Sequence, residues 1–302
     1  MGWLCSRSYF ALPCTLAISL SFSVAQTAQS AAVSPVELVR QAVAMELQPP
    51  DAGKRFLFQH YKKNPNGTQT GVYVQTREAI AGMMIAINDK PLSEDQRKGE
   101  GQRIRRFIDN PEELKKKQKQ EKENADRVTR IIRALPDAFL YEQDGVEMSQ
   151  PGLGRTGDPL TRLNFRPNPN YDPPSRVEQI LTGMQGNLLI DAKQKRIARI
   201  EGTLQKDVSF GWGLLGHLDH GGQILLEQAD VGKSHWQITK IDMAFTGRIL
   251  LFKSVNVRST ETYSDFQPVA ADLTFAQGVD LLKQYESQWL LSQNESSHSY
   301  KR

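Results

Sequence analysis

The chain opens on an uncharged apolar run over residues 9–24, and no later run approaches the roughly 18 apolar residues a membrane-crossing helix needs. Val36, Val39, Val43 and Leu47 then recur at helical spacing. Ser34-Pro35-Val36-Glu37 ahead of them supplies an N-cap, a proline at the first helical position and a carboxylate that closes a capping box, and Pro49-Pro50 stops the helix. The period then changes to strands. Residues 55–62, 71–77 and 81–88 read as a meander, with the turn tetrad Asn64-Pro65-Asn66-Gly67 between the first two. Asn66-Gly67-Thr68 has the letters of a glycosylation sequon, but Asn-Gly is explained by the turn.

Residues 94–133 are almost wholly charged or amide-bearing. Ser93-Glu94-Asp95-Gln96 and Asn110-Pro111-Glu112-Glu113 are two further helix starts, so two helices joined near Asp109 are expected. Their thin apolar stripe comprises Ile104, Phe107, Ile108, Leu114, Val128, Ile131, Ile132 and Leu135. Beyond Pro136 strands return at 138–143 and 162–166, separated by Pro- and Gly-rich loops. The strand signal is strongest at 186–191, 196–206, 222–229, 236–245 and 247–258, with residues 192–195 and Thr246-Gly247 as links. Ala198, Ile200, Gly202 and Leu204 alternate against Arg199, Glu201 and Thr203, which predicts one buried face. Residues 276–291 read as a closing helix, and 293–302 as a disordered tail.

The ends change the picture. Arg7, the apolar run and the small-residue stretch 23–32 follow the charged, apolar, small order of a cleavable signal peptide, with cleavage after Ala25 or Ala32. Both cysteines, Cys5 and Cys14, lie inside this segment, so the exported chain has no disulfide, no thiolate nucleophile and no cysteine metal site. Cys14 follows Pro13 in mid-run, which does not fit a lipoprotein signal. The expected product is a soluble periplasmic protein with its single domain over 33–292, a helical insertion over 93–135 and no membrane span after cleavage. Loss of Arg7 lowers the formal charge of +4 by one. Lys115-Lys116-Lys117 invites a nucleic-acid or anionic-lipid partner, but Glu112, Glu113, Glu121 and Glu123 bracket it, so a solvated face and no nucleic acid are expected.

Asn187-Leu188-Leu189-Ile190-Asp191-Ala192 followed by Arg196-Ile197-Ala198-Arg199-Ile200-Glu201-Gly202 is a strand ending in Asp-Ala, a tight turn and a strand with Ile-Glu-Gly. It resembles the periplasmic lipoprotein-carrier superfamily of the LolA, LolB and RseB type. Phe210-Gly211-Trp212-Gly213 and Ser264-Asp265-Phe266 are similar to segments of exported proteins from soil bacteria. The resemblance implies an α+β fold in which roughly nine to eleven antiparallel strands curve into an open half-barrel, with helices on the concave side and a lipid acyl chain or lipoprotein as ligand. No binding residue carries over by motif, and residues 94–133 exceed the helices expected of such a carrier.

Candidate chemistry is sparse. Gly216-His217-Leu218-Asp219-His220 is close to a His-x-His-x-Asp-His metal run, yet Leu215 stands where the first ligand belongs, so no metal is expected. There is no Gly-x-Ser-x-Gly elbow, and Pro159 cuts off the partial dinucleotide fingerprint 152–157, so neither a catalytic residue nor a cofactor is assigned. Phe210, Trp212, Leu214 and Leu215 alternate with glycines in a loop between strands, and are expected to border a ligand groove. The expectation is a non-enzymatic lipid- or lipoprotein-binding protein; the alternatives are an envelope scaffold or sensor working through contacts with another envelope protein, and a hydrolase of unassigned substrate.

Overall fold

The computed structural model describes residues 33–49, 53–210, 216–249 and 253–299. The expected signal segment lies outside them. Helix α1 (Pro35–Glu46) begins where Ser34 caps it, Oγ accepting from the Glu37 N–H at 3.4 Å. Its buried stripe is Leu38, Val39, Ala42 and Val43. At its last turn Glu46 accepts a two-bond fork from Arg196 at 2.9 Å per bond, and the Ile197 N–H at 3.2 Å. That fork pins the helix to the sheet.

The expected meander forms as β1 (Arg55–Asn64), β2 (Gly67–Gln75) and β3 (Ile80–Ile87), followed by the short β4 (Lys90–Pro91). Gly67, at φ +126°, closes the turn opposite Asn64. Ser93 and Gln96 form the reciprocal capping box that starts α2 (Glu94–Asp109). Asn110 Oδ1 accepts from the N–H groups of Glu112 and Glu113 at the start of α3 (Pro111–Ala138), which holds Pro136 in its last turn. Then come β5 (Phe139–Met148), β6 (Pro159–Pro167), the single-turn α4 (Arg176–Gln179), β7 (Met184–Asp191) and β8 (Arg196–Leu204). The strands β9 (Val208–Phe210), β10 (Gly216–Leu218), β11 (Gln223–Asp230), β12 (Trp236–Ile249) and β13 (Lys253–Val269) precede α5 (Phe275–Ser299), which continues past Leu291.

Every strand pairing is antiparallel, and the order β4-β3-β2-β1-β13-β12-β11-β8-β7-β6-β5 leaves both ends unjoined, with β10 and β9 branching from β12. The protein is therefore α+β, built on one open antiparallel sheet. The 13 strands among the described residues exceed the expected number because β4, β9 and β10 are two or three residues long, too short for alternation to show.

Two expectations are corrected. Thr246-Gly247 is not a link; both residues lie inside β12, paired with Asn256 and Val255 of β13. Gly247 is there because a Cβ would collide with the carbonyl of His217 on β10, which pairs with β12 at this point. Ala198 does not share the face of Ile200. A register slip puts Ile197 opposite Ile190, and Ala198 joins Leu153, Leu160, Leu189 and Trp236 on the other side.

The sheet is strongly curved, and α3 measures it. Near one end Glu121 of α3 accepts from the N–H of Ile80 on β3, and near the other the carbonyl of Leu135 accepts from Tyr141 on β5. The 14 residues between span about 21 Å of helix. Along the sheet β3 and β5 are nine strand intervals apart, about 43 Å if flat. The helix is thus a chord across a bent sheet, and the face beneath it is concave.

Two cores form at the two ends. Leu163, Phe165, Leu188, Ile190, Ile197 and Leu204 pack under α1 and the C-terminal part of α3. At the other end Leu57, Val72, Val74, Ala81, Met83 and Ile85 pack with α5 and Ile104 of α2. Period two makes these latter residues the opposite face of β1–β3 from Phe58, His60 and Tyr73.

Candidate functional site

The concave face of β1–β3 carries large rings. Phe58 and His60 alternate along β1, Tyr73 stands opposite Phe58 on β2, and Tyr263 stands opposite His60 on β13. Phe58 stacks on Tyr73 with centroids 5.8 Å apart, and His60 on Tyr263 at 4.7 Å. Such pairs contribute about 0.5–1.5 kcal/mol each beyond the area they bury. Tyr73 lies flat because Gly71 and Gly82 flank it; a Cβ on either would strike its ring.

Phe266 joins this array by a bulge. Tyr263 opposes His60, yet Leu57 opposes Gln267, so β13 holds one extra residue between them. Asp265 adopts φ +55° there and returns Phe266 to the face of Phe58, 5.6 Å from it. In a regular strand Phe266, three residues on from Tyr263, would face the α5 side.

Between these strands and α2 and α3 lies a cavity of about 540 Å³. Rings of Phe58, Tyr73, Phe107 and Tyr263 and the aliphatic side chains of Ile80 and Met84 supply most of its wall. Its charged wall groups are matched. Glu100 binds Arg103 through two bonds of 2.7 Å and accepts from the Met84 N–H at 2.8 Å. Burial works to raise the Glu100 carboxyl, but the bonds from Arg103 and Met84 outweigh it and hold the group below its ordinary value. Arg103 in turn donates to the carbonyl of Gly82 at 2.7 Å, and Lys117 pairs with Glu121 at 2.8 Å.

These charges also close the sheet edge. Ile80 N–H, Gly82 C=O and Met84 N–H point away from β2, and side chains of Glu121, Arg103 and Glu100 satisfy them in turn.

Beside the cavity, Glu261 accepts from His60 at 3.0 Å, Lys62 at 2.8 Å and Tyr263 at 3.0 Å. The His60 bond, with help from Lys62 and Tyr263, outweighs desolvation and holds its carboxyl down to about 2. Burial, and then the Glu261 charge, push the Tyr263 phenol up.

Phe210 ends β9 and Gly216 begins β10; Trp212, Leu214 and Leu215 lie outside the described residues, as does the Phe210 side chain. The flanking strands sit far from the cavity. His217 opposes Arg248, which opposes Ser254, nine residues from Tyr263 along β13, about 30 Å. His217 contacts Asp219 at 3.2 Å and His220 contacts Asp207 at 3.1 Å, as two separate pairs. Among the described residues no group of three or more His, Cys, Asp or Glu side chains could hold a metal ion. Lys115 pairs with Glu112 at 2.8 Å, in keeping with a solvated helix face.

Sequence reasoning placed β1 and β2 but missed the ring array. The signal was the alternation Phe56, Phe58, His60, Lys62, apolar rings running into ionisable groups on one strand face.

No family model matches the chain, and no curated protein matches it. A structural likeness is found to a domain from Vibrio parahaemolyticus described as an outer membrane lipoprotein-sorting protein, at 8% identity and a TM-score of 0.30, covering 81% of this chain and 97% of that domain.

Proposed function

We propose that this chain is an exported, non-enzymatic protein of the bacterial envelope that holds a lipid, free or as the acyl chain of a lipoprotein, between its curved sheet and α2–α3. The observation that carries the reading is the cavity of about 540 Å³, walled mainly by rings and aliphatic side chains. Its volume falls within the range of small-molecule sites, and a wall of this kind favours an apolar guest that removes it from water. Export is supported by the order of residues 1–32, and no described helix is long and apolar enough to cross a membrane. Cleavage near Ala25 or Ala32 would release the chain into the periplasm.

Native mass spectrometry of protein purified from the envelope, with organic extraction of the same sample, tests the reading. A lipid adduct that disappears on extraction is expected. Protein that is ligand-free, and that neither takes up lipid from vesicles nor binds apolar fluorophores, would overturn it.

A further inference from the structure

We infer that the cavity selects an uncharged lipid whose polar end is a single hydroxyl or carbonyl, and discriminates against one with an ionised head group. The inference rests on the cavity reading above and adds a ligand class to it.

Three observations carry it. First, each charge on the wall has its counter-charge at hydrogen-bond distance: Glu100 with Arg103 at 2.7 Å, Lys117 with Glu121 at 2.8 Å. A carboxylate or phosphate entering here would find its attraction to Arg103 or Lys117 cancelled by the neighbouring acid while losing its own hydration. Second, these pairs are held by the fold, because the sheet edge needs them: Glu100 and Glu121 accept backbone N–H groups and Arg103 donates to a carbonyl. They are not free to swing toward a ligand. Third, Tyr73 lies across the cavity wall on Gly71 and Gly82, and its hydroxyl makes no hydrogen bond to any described residue. It offers one neutral donor-acceptor on a wall whose charges pair with one another and whose His60 and Tyr263 are bonded to Glu261, which suits one hydroxyl or carbonyl.

The test is displacement of an uncharged phenylnaphthylamine fluorophore from the full purified chain, with hexadecanol and ionised palmitate as competitors of equal chain length. Hexadecanol is expected to compete at about one-tenth the concentration of palmitate, the ratio of one unmatched hydrogen bond to a charged group. Tyr73→Phe, which keeps the ring, should weaken hexadecanol by about three- to tenfold and leave palmitate unchanged. Glu100→Gln, which leaves Arg103 without its counter-charge, should reverse the preference toward palmitate. Equal competition by the two lipids in the unmodified protein, or no change of preference in Glu100→Gln, overturns the selectivity while leaving the cavity standing. Ile80→Trp separates the two levels, since Ile80 is partly exposed and its enlargement narrows the space. If Ile80→Trp folds normally by circular dichroism and binds the fluorophore as well as before, the cavity reading itself fails and the selectivity falls with it.

Discussion

The two ends of the sheet are built to opposite rules. At the β5–β8 end the concave face carries Leu163, Phe165, Leu188, Ile190, Ile197 and Leu204, and α1 with the C-terminal part of α3 closes over them. At the β1–β3 end the same face carries rings over glycines, and α2 and α3 meet it through the paired charges Glu100, Arg103, Lys117 and Glu121 as well as through Ile104 and Phe107. Close packing there is moved to the other face, under α5. Aliphatic side chains of varied shape fill volume. Flat rings propped on glycine, faced by salt bridges that must stay at the sheet edge, leave volume open. One end fills its concave face, and the other keeps space there.

The sharpest way to break this contrast is to truncate a matched pair. Leu188→Ala at the closed end, where the side chain is 1% exposed, should cost about 2–5 kcal/mol of stability and leave fluorophore binding per folded molecule unchanged. Met84→Ala at the open end should cost under about 1.5 kcal/mol, because its side chain already borders free space, but should weaken binding several-fold. Urea unfolding and fluorescence titration on both variants decide it. Equal stability losses would show that both ends are packed alike.

The edge of β3 comes next in size. Arg103→Ala removes the donor to the Gly82 carbonyl and strands Glu100 beside it, at a cost of about 1–3 kcal/mol. It also bares a strand edge that can pair with another chain, so size-exclusion chromatography should show concentration-dependent dimers or larger species. A variant that stays monomeric at all concentrations would mean that the helices, and not these side chains, guard the edge.

How much of this was legible beforehand depends on chain separation. Helix starts at Ser34, Ser93 and Asn110 and the turn at Asn64–Gly67 are decided within a few residues, and the structure has them where their chemistry requires. Gly247 was misread because a glycine inside a strand and a glycine in a turn look alike without its neighbour, the His217 carbonyl. Ala198 was misassigned because a bulge, which flips every later side chain, has no strong local signature. The β1 part of the ring array showed in its alternation, but its partners were out of reach for a larger reason: His60 meets Tyr263 and Glu261 some 200 residues along the chain, through the β1–β13 pairing that no local pattern specifies.

A smaller effect tests the polar margin of the open end by pH. Glu261 has an ordinary carboxyl value of 4.5 that the fold lowers to about 2. Its charged form is the one the fold favours, so its contribution is complete above 4.5 and is lost as the pH falls from there toward 2. Glu261→Gln should flatten this part of the stability profile, measured as the urea midpoint between pH 5 and pH 2, roughly the span of the two values. An unchanged slope in the variant would assign the acid sensitivity to other carboxyls, such as Glu100.

The smallest expected effect separates two places for the ligand. The alternation of Phe210, Trp212, Leu214 and Leu215 with glycine suggests a groove-bordering loop, while the described residues put a cavity beside Tyr263. The strands on either side of that loop are remote from the cavity: β10 pairs with β12 at Arg248, and Arg248 opposes Ser254, about 30 Å along β13 from Tyr263. If the ligand sits against Tyr73 and Tyr263, Trp212→Ala with Leu214→Ser should change fluorophore affinity by less than about twofold, within the range of surface substitutions remote from a site. Tyr73→Ala should instead weaken it by about tenfold or more, since a whole wall ring is lost. The reverse ranking, with the loop variant binding poorly at an unchanged melting temperature, would move the site to the β9–β10 end. A ligand that spans the concave face beneath α3, touching both, would show comparable losses in each variant and a multiplicative loss in the combination, because sites this far apart act independently.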